Sequence, residues 1–366
     1  MKNWVKSSIG TLLMFVSVAC VQQGNVGVKT DDIEKRDTLK NDYAETFRII
    51  YLKEGVQIDI IDLDTKENVK SYVIGKDSTQ NHASFSSEIN RVATTSTTHI
   101  GMLRELGLED KIIAVSSIQY LCQPFKVGTV TELGEFGYTA NAENFVKANP
   151  DIIFYSGFDM NDPILKKLEH TKLKTFLIYE WQEQHPLGRA EWIKVYGILF
   201  NKINEANEIY SKIKDNYLRL VQQLSGVENR SSVLVGTPIG DIFNAPAGDS
   251  YMAKLLADAN VNYVYAHTEG TGSLSLTLEE IITQNLNVDF WINMNAQDKM
   301  EVLDLNAKFE MLNSYKTGQM FSYIQNVNCF WEKSLIEPDK VLEDFGKIFH
   351  EELFEDSKLS YYSKIE

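Results

Sequence analysis

The chain has 366 residues, more than one ordinary domain needs and enough for two, and 43% of them are hydrophobic, so sizeable cores can form. Its 51 acidic residues outnumber its 36 basic residues and give a formal net charge of -15. We therefore expect no nucleic-acid partner, because no basic surplus exists to neutralise phosphates.

The start of the chain has the pattern of an export signal. Two lysines precede a short apolar run at residues 9–16, and small or modest-sized residues lead up to Cys20. Such a run is too short to span a membrane, and a cysteine after small residues is typical of a lipoprotein signal. We predict a signal peptide over residues 1–19 and lipidation of Cys20, which anchors a protein to a membrane without spanning it.

Residues 20–43 are mostly polar and charged without periodicity, and they predict a flexible tether. The folded part then begins with two alternating stretches, "FRIIYL" and "VQIDIIDL", which a short turn at residues 53–55 separates. This pattern predicts a β-hairpin, and "SYVIG" predicts a further strand. We assign residues 44–185 to an N-terminal α/β lobe that begins with this hairpin.

From residue 91 the chain alternates between strand and helix patterns. The predicted strands are "RVATTS", "KIIAVSS", "DIIFYSG" and "KTFLIY", and the predicted helices are "IGMLRELGL", "AENFVKAN" and "PILKKLEHT". Apolar runs that do not alternate suit strands buried on both faces, and the regular interleaving indicates a parallel sheet.

Residues 186–225 have an almost purely helical pattern and predict a connector. Pro186 suits a first helical turn, and Asn201 is expected to interrupt the pattern and to cap a second, longer helix. That helix, at residues 203–224, would extend about 33 Å and act as a stiff strut. Its predicted apolar stripe consists of Ala206, Ile209, Ile213, Tyr217, Leu220 and Leu224.

The second half, residues 226–366, repeats the order of the first. "YMAKLLADANVNYVY" parallels "GMLRELGLEDKIIAV", and "EEIITQNLNVDFWIN" parallels "ENFVKANPDIIFYSG". "PDKVLEDFGKIFHEEL" predicts a closing amphipathic helix. The predicted fold class is therefore α/β, with two similar lobes, mostly parallel central sheets, one long rigid helix between them and a ligand cleft between the lobes.

A run of hydroxyl-bearing residues, 94–98, stands where a strand ends and a helix begins. In open α/β sheets ligands bind at this edge, where hydroxyls and free N–H groups can hold an anionic group. The alternative is that Thr97 or Thr98 simply caps the helix. We predict that Ser96, Thr97 and Thr98 line the cleft.

His99 is a candidate ligand-binding residue because imidazole suits iron. The alternative is a structural histidine at the start of the helix that is hydrogen-bonded to backbone.

Aromatic residues follow several of the predicted strands. Tyr120, Phe158 and Trp181 in the first half, with Phe243 and Trp331 in the second, can cradle a bulky planar or chelate ligand. The alternative for each of them is packing in the core or at its rim.

Glu143 and Glu279 open equivalent predicted helices in the two halves. The helix dipole favours a carboxylate there, and the alternative is a pair of docking charges that face arginines of a partner.

No nucleophile elbow, Walker loop or dinucleotide fingerprint occurs in the sequence, so we expect no enzyme. Cys122 and Cys329 leave the question of a disulfide open, because they lie far apart and no short framework is visible; no metal site is expected.

Four segments jointly resemble one protein family. They are "RVATTSTTHIGMLRELGLEDKIIAVSS", "VGTVTELGEFGYTANAENFVKANPDIIF", "IFNAPAGDSYMAKLLADAN" and "IEPDKVLEDFGKIFHEELF". The chain, from about residue 45 to its end, resembles the substrate-binding lipoproteins of ABC importers for iron complexes. That family includes siderophore-, haem- and cobalamin-binding proteins.

The resemblance implies two α/β lobes around a rigid helix, a ligand between the lobes, and one glutamate per lobe that docks on the permease. Glu143 matches the first of these positions and Glu279 the second, although Glu280 is adjacent. It also implies a monomer that is lipid-anchored to the cell envelope on the periplasmic side, binds a small metal chelate without a resident cofactor, and works with the transmembrane subunits of an ABC permease.

Several alternatives stay open at this level. A ferric siderophore or related chelate is the expected ligand, but haem and cobalamin are not separated from it; for haem, His99 and Tyr120 would be the candidate iron ligands. A two-lobed metal chelatase is the enzyme alternative, which export and the small number of six histidines disfavour. A surface module that passes cargo to another receptor is the third. The stiff helix predicts little closure on binding.

Overall fold

The computed structural model describes residues 35–75, 84–85, 88–125, 130–135, 140–157 and 162–366. The predicted signal peptide, the lipidation site Cys20 and the aromatic residue Phe158 lie outside these described residues.

Strands and short helices alternate through most of the described chain. The strands are β1 (Lys35–Leu39), β2 (Phe47–Leu52), β3 (Gly55–Ile61), β4 (Asn68–Ile74), β5 (Ser84–Phe85), β6 (Val92–Thr94), β7 (Ile112–Val115), β8 (Thr131–Glu132), β9 (Ile152–Ser156), β10 (Thr175–Ile178), β11 (Ser232–Val235), β12 (Thr237–Ile239), β13 (Ile242–Pro246), β14 (Asn262–Tyr263), β15 (Ser273–Thr277), β16 (Phe290–Ile292), β17 (Met320–Ser322) and β18 (Ser363–Lys364). The helices are α1 (Thr97–Glu105), α2 (Ala142–Ala148), α3 (Pro163–Glu169), α4 (Pro186–Glu191), α5 (Ile193–Leu199), α6 (Ile203–Leu224), α7 (Tyr251–Asp258), α8 (Leu278–Gln284), α9 (Lys299–Leu305), α10 (Asn313–Thr317), α11 (Val327–Lys333) and α12 (Pro338–Phe349).

The N-terminal sheet has the order β1-β2-β3-β4-β5 and is antiparallel except for the β4–β5 pair. Leu52 pairs with Gly55, which confirms the predicted hairpin turn. Gly55 has φ +135, and a Cβ there would lie 2.4 Å from the carbonyl oxygen of Ile74, so only glycine fits. The prediction of a tether was wrong for residues 35–39, because they pair with β2 as an edge strand.

The sheet of the first lobe has the order β10-β9-β6-β7-β8, and all of its strands are parallel. This confirms the interpretation of the non-alternating apolar runs; in β9, for example, four consecutive residues are buried. The N-terminal sheet packs against this lobe through Tyr72. Its ring stacks on Phe176 with centroids 4.2 Å apart, and its hydroxyl oxygen accepts a hydrogen bond from the Leu177 N–H at 2.8 Å.

The sheet of the second lobe has the order β14-β11-β16-β17-β18, parallel except for β18. In both lobes the first strand (β6 or β11) lies between the second (β7 or β14) and the third (β9 or β16), and the fourth (β10 or β17) lies beyond the third. The repeated order that the sequence indicated is therefore a repeated topology. The sequence reasoning missed a small antiparallel sheet, β12-β13-β15, in this lobe.

The connector consists of α4, α5 and α6, and Pro186 occupies the first turn of α4 as predicted. Asn201 interrupts the helical run in the left-handed conformation, with φ 54. The prediction that Asn201 caps the long helix was wrong, because Lys202 holds the N-cap position of α6 and no side chain caps it. Helix α6 has the predicted bounds, but Tyr210 is buried and Ile209 only half-buried.

Helix α6 contacts the second lobe and the rest of the connector. Its Tyr217 hydroxyl donates to Asp258 of α7 at 2.8 Å, and Asn216 donates to Asp339 of α12 at 3.1 Å. Within the connector it packs closely on α5, where a Cβ on Gly197 would lie 2.7 Å from the Cβ of Ala206. These contacts at several points along the helix fit the interpretation of a stiff strut.

Candidate functional site

A groove of about 330 Å³ opens in the second lobe at the carboxyl ends of its parallel strands. Gly236 follows β11, Asn293 follows β16 and Tyr323 follows β17, and all three line the groove. Strands β11 and β16 are neighbours whose connections lead to opposite sides of the sheet. Such a switch point is where ligands bind in open α/β sheets.

Aromatic rings form one wall of the groove. Tyr323 stacks on Phe330 with centroids 4.1 Å apart and an interplanar angle of 5°, and Trp331 meets Tyr323 edge-on at 5.8 Å. Trp331 is 45% exposed, so much of its ring surface is open to solvent. Tyr251, the first residue of α7, also lines the groove. These rings offer flat apolar surface with hydroxyl groups at the edges.

The polar groups of the groove are hydroxyls and amides. They belong to Thr237, Asn244, Ser250, Thr271, Ser273 and Asn293. None of the described residues that line this groove is an acid, lysine, arginine or histidine. The groove therefore suits a ligand held by apolar contact and neutral hydrogen bonds rather than by paired charges.

The backbone beside the groove approaches another strand closely at Gly236. Its φ is +130, and a Cβ there would lie 2.0 Å from the carbonyl oxygen of Asn244. The Trp291 indole donates to the Gly236 carbonyl at 3.0 Å, and Phe243 is completely buried with its ring 6.1 Å from that of Trp291. The prediction that Phe243 contacts ligand is corrected to a core position, because its alternating strand turns this side chain away from solvent.

In the first lobe the hydroxyl run caps α1. The cap is Ser96, whose Oγ accepts the Thr98 N–H at 3.3 Å, rather than Thr97 or Thr98 as the sequence suggested. The Thr98 hydroxyl then donates to Glu180 at 3.3 Å. Ser96, Thr97 and Thr98 are all half-buried, and their role as ligand contacts stays a prediction.

Glu180 lies beside this edge, and Arg189 of α4 contacts the second lobe. Glu180 is 3% exposed and its Oε2 has no hydrogen-bond partner; burial raises its pKa, and the charge of Arg189 opposes the shift. The Arg189 guanidinium lies 4.2 Å from the ring centroid of Tyr251 in the groove. A cation stacked on an aromatic face thus joins the connector to the groove wall.

His99 is a core residue of the first lobe. It is 1% exposed, with Nδ1 2.8 Å from the Thr94 hydroxyl and Nε2 3.2 Å from the Ser156 hydroxyl. Burial lowers its pKa to about 3. The prediction of a ligand-binding or iron-binding His99 is corrected, because both ring nitrogens are engaged inside the lobe. The alternative, a histidine held by hydrogen bonds at the start of the helix, is closer to what the structure shows, although its partners are side-chain hydroxyls rather than backbone groups.

The remaining predicted aromatic residues of the first lobe are not part of the groove in the second lobe. Tyr120 is 47% exposed, and Trp181 is half-buried with its ring 5.4 Å from that of Tyr179. Their contact with ligand stays a prediction. Sequence reasoning missed Tyr251 and Tyr323. Tyr323 follows the short strand "MFS", and recognising that strand would have placed this tyrosine at the ligand-binding edge.

The two predicted docking glutamates occupy equivalent places. Glu143 is exposed in the first turn of α2, which precedes β9, and Glu279 is exposed in the first turn of α8, which precedes the equivalent strand β16. The neighbouring Glu280 accepts from the Thr277 N–H at 2.9 Å and from its hydroxyl at 2.8 Å, which lowers the Glu280 pKa. Because Glu280 is engaged in this capping box, Glu279 is the better candidate for docking.

Across the part of the chain that the structure describes, no helix combines the length and apolar character that crossing a membrane requires.

Comparison with known proteins gives a family match. A family model described as periplasmic binding protein matches residues 92–326, which include every strand of the first lobe's sheet and every strand of the second lobe's sheet except β18, and which leave out the N-terminal sheet. Two uncharacterized lipoproteins of Methanocaldococcus jannaschii are similar in sequence. One is 24% identical over 292 residues, covering 75% of this chain and 69% of the relative. The other is 27% identical over 271 residues, covering 69% of this chain and 66% of the relative.

Solved structures share the fold. A periplasmic heme binding protein from Pseudomonas aeruginosa is 12% identical with a TM-score of 0.63, covering 76% of this chain and 99% of that one. A possible iron-binding periplasmic solute-binding protein from Staphylococcus epidermidis has 17% identity, a TM-score of 0.57 and coverage of 71% and 98%. An ABC-type Fe3+-hydroxamate transport protein from Saccharomonospora viridis has 18% identity, a TM-score of 0.54 and coverage of 72% and 93%.

Proposed function

Because the chain belongs to the periplasmic binding protein family, we propose that it is the lipid-anchored substrate-binding protein of an ABC importer for an iron complex. Cys20 carries the lipid, and the folded lobes bind the complex outside the cytoplasmic membrane. The cargo is a ferric siderophore or a related metal chelate. Three similar folds, described as an iron-binding, a heme-binding and an Fe3+-hydroxamate transport protein, support this class of cargo.

The observation that carries the proposal is the groove at the switch point of the second lobe. Its rings, Tyr251, Tyr323 and Trp331, supply flat apolar surface for the outside of a chelate, and its hydroxyls and amides supply hydrogen bonds to chelating oxygens. Arg189, stacked on Tyr251, adds a positive charge at the border of the groove. In this arrangement the protein binds the chelator, and the chelator holds the metal.

Delivery to the permease uses the exposed carboxylates of the two lobes. Glu143 and Glu279 stand at equivalent helix starts, so a two-fold related pair of permease subunits can meet both at once through arginines. Rim charges of this kind set orientation and the rate of association more than the final affinity.

Native mass spectrometry tests the choice of cargo. The mature protein is incubated separately with a ferric trishydroxamate, a ferric triscatecholate, haemin and cyanocobalamin. We expect a stoichiometric complex with a ferric siderophore, and the Trp331→Ala variant should bind it at least about tenfold more weakly, as loss of a stacking ring predicts. If the protein binds haemin alone or cyanocobalamin alone, that compound is the cargo instead of a ferric siderophore. If it binds none of the four compounds, the proposal is contradicted.

Charge reversal tests delivery. The variant Glu143→Arg with Glu279→Arg should abolish uptake of the bound chelate into cells while its affinity for the chelate stays unchanged, because both residues are exposed outside the groove. The matched control is Glu205→Arg with Glu208→Arg on the exposed face of α6, which should leave uptake intact. Uptake that persists in the first variant would favour transfer to another receptor instead of a permease.

A further inference from the structure

Cys122 and Cys329 form a disulfide across 207 positions of the sequence, which answers the question that the sequence left open. Cys122 follows β7 in the first lobe, and Cys329 lies in α11 of the second lobe. The bond therefore joins the lobes covalently at a place other than the connector helices. Disulfides persist in the oxidising compartments outside the cytoplasm, in keeping with the predicted export.

A buried carboxylate of the same helix reinforces this junction. Glu332 of α11 is completely buried, and Arg104 of α1 in the first lobe donates to its Oε1. The Glu332 Oε2 accepts the Cys122 N–H at 2.9 Å. Arg104 also donates to the Gln123 carbonyl at 2.8 Å. Glu332 from one lobe is thus bonded to both the helix and the loop of the other.

The helices themselves meet without side chains between them. A Cβ on Gly101 of α1 would lie 2.0 Å from the Glu332 carbonyl oxygen, so α1 and α11 touch at the backbone there. One turn before Glu332, the Asn328 side chain donates to the carbonyl oxygens of Gln119 at 3.0 Å and Leu121 at 3.3 Å. Asn328, Cys329 and Glu332 therefore hold one continuous segment, residues 119–123, by four different bonds.

We propose that this seam, formed by α1, residues 119–123 and α11, is a clasp that fixes the spacing of the two lobes before any ligand arrives. The clasp also fixes the positions of the two aromatic residues nearest to it, because Tyr120 lies two positions before Cys122 and Trp331 lies two positions after Cys329. The connector helices are one attachment between the lobes and the clasp is a second, and two separate attachments restrict rotation of the lobes more than one does. The protein thus binds its ligand with preset lobes, and the clasp acts as a positioning device for the ligand-binding residues.

The distance between the lobes tests the clasp without any ligand. Click-reactive residues replace Lys167 on α3 of the first lobe, which is exposed, and Met300 on α9 of the second lobe, which is 76% exposed. These residues carry spin labels for pulsed electron paramagnetic resonance. The intact protein should give one narrow distance distribution. The variant with Cys122→Ser, Cys329→Ser and Glu332→Gln should give a broad distribution that extends to longer distances.

The matched control is Glu109→Gln, which removes another bond of Arg104 that lies within the first lobe, at 3.0 Å, and should leave the distribution narrow. If the triple variant does not fold, the folded wild-type protein is reduced and alkylated instead, and broadening is again expected. A triple variant or reduced protein that keeps its fold by circular dichroism and also keeps the narrow distribution overturns the proposal. Because no chelate is added, this outcome is independent of whether the cargo is an iron complex.

Discussion

His99 shows how strongly the surroundings of one residue decide its chemistry. The imidazole sits between two hydroxyls, from Thr94 and Ser156, inside the first lobe and has no charged partner in the contacts that the structure describes for it. Burial without a counter-charge disfavours the protonated ring and lowers its pKa to about 3. At neutral pH the residue is therefore an uncharged structural element.

The depressed pKa makes stability depend on pH. Between pH 6.5 and pH 3 the unfolded chain binds a proton at His99 and the folded chain does not, so the free energy of unfolding should fall as pH drops through this range. For this residue the full loss is about 5 kcal/mol. The His99→Gln variant should show a clearly flatter decline in urea titrations at pH 7, 6, 5 and 4.

Two other histidines define the comparison. Burial also lowers the pKa of His185 to about 4, so some pH dependence should remain in the His99→Gln variant. The exposed His267 serves as the control, and His267→Gln should leave the slope unchanged. An unchanged slope in His99→Gln would contradict the burial of a neutral ring at this position.

At the scale of elements, the N-terminal sheet is held to the connector by a carboxylate rather than by apolar contact alone. Glu191, completely buried at the end of α4, accepts hydrogen bonds from the N–H groups of Asp42, Tyr43 and Ala44 at 2.8 to 3.1 Å. Lys194 also donates to it. Three backbone donors and one ammonium therefore share a single carboxylate, and two of the donor residues, Ala44 and Lys194, are buried.

Removing this acceptor should be costly. Glu191→Ala leaves the ammonium of the buried Lys194 and the N–H group of the buried Ala44 without their acceptor, and we expect a loss of about 3 to 5 kcal/mol in the free energy of unfolding. Chemical denaturation followed by circular dichroism measures it. Glu205→Ala, an exposed glutamate paired with Lys202 at 3.5 Å, should change stability by about 0.5 kcal/mol or less. Equal effects of the two substitutions would show that Glu191 is not the anchor.

At the scale of the whole molecule, two attachments connect the lobes. Helix α6 bonds to Asp258 and Asp339 of the second lobe along one stretch, and the clasp at Cys122–Cys329 joins the lobes elsewhere. Lobes linked twice have little freedom to rotate, in contrast to receptors whose lobes close around a hinge.

Small-angle scattering checks this rigidity. With saturating amounts of the chelate that native mass spectrometry selects, the radius of gyration should stay within the error of its ligand-free value. It is expected to be about 20 Å for residues 35–366 if they are compact. A clear decrease in the radius of gyration on binding would contradict lobes that are held at a fixed spacing.

The sequence by itself determined the repeated α/β topology, the bounds of α6 and the hairpin of the N-terminal sheet. Those features depend on consecutive residues: uninterrupted apolar runs, a three- and four-residue stripe, and a glycine that the turn requires. Even the missed strand β15, "SLSLT", carries a local signal, because its two leucines alternate with polar residues.

The tertiary structure alone decided the chemistry of the sites. The Cys122–Cys329 bond, the acceptors of residues 42–44 and the grouping of Tyr251 with Tyr323 all join residues that are far apart in the chain. His99 and Phe243 looked like candidates for ligand contact until their burial was known. Local periodicity records which face of an element is apolar, whereas burial and pairing depend on what the other elements place against that face.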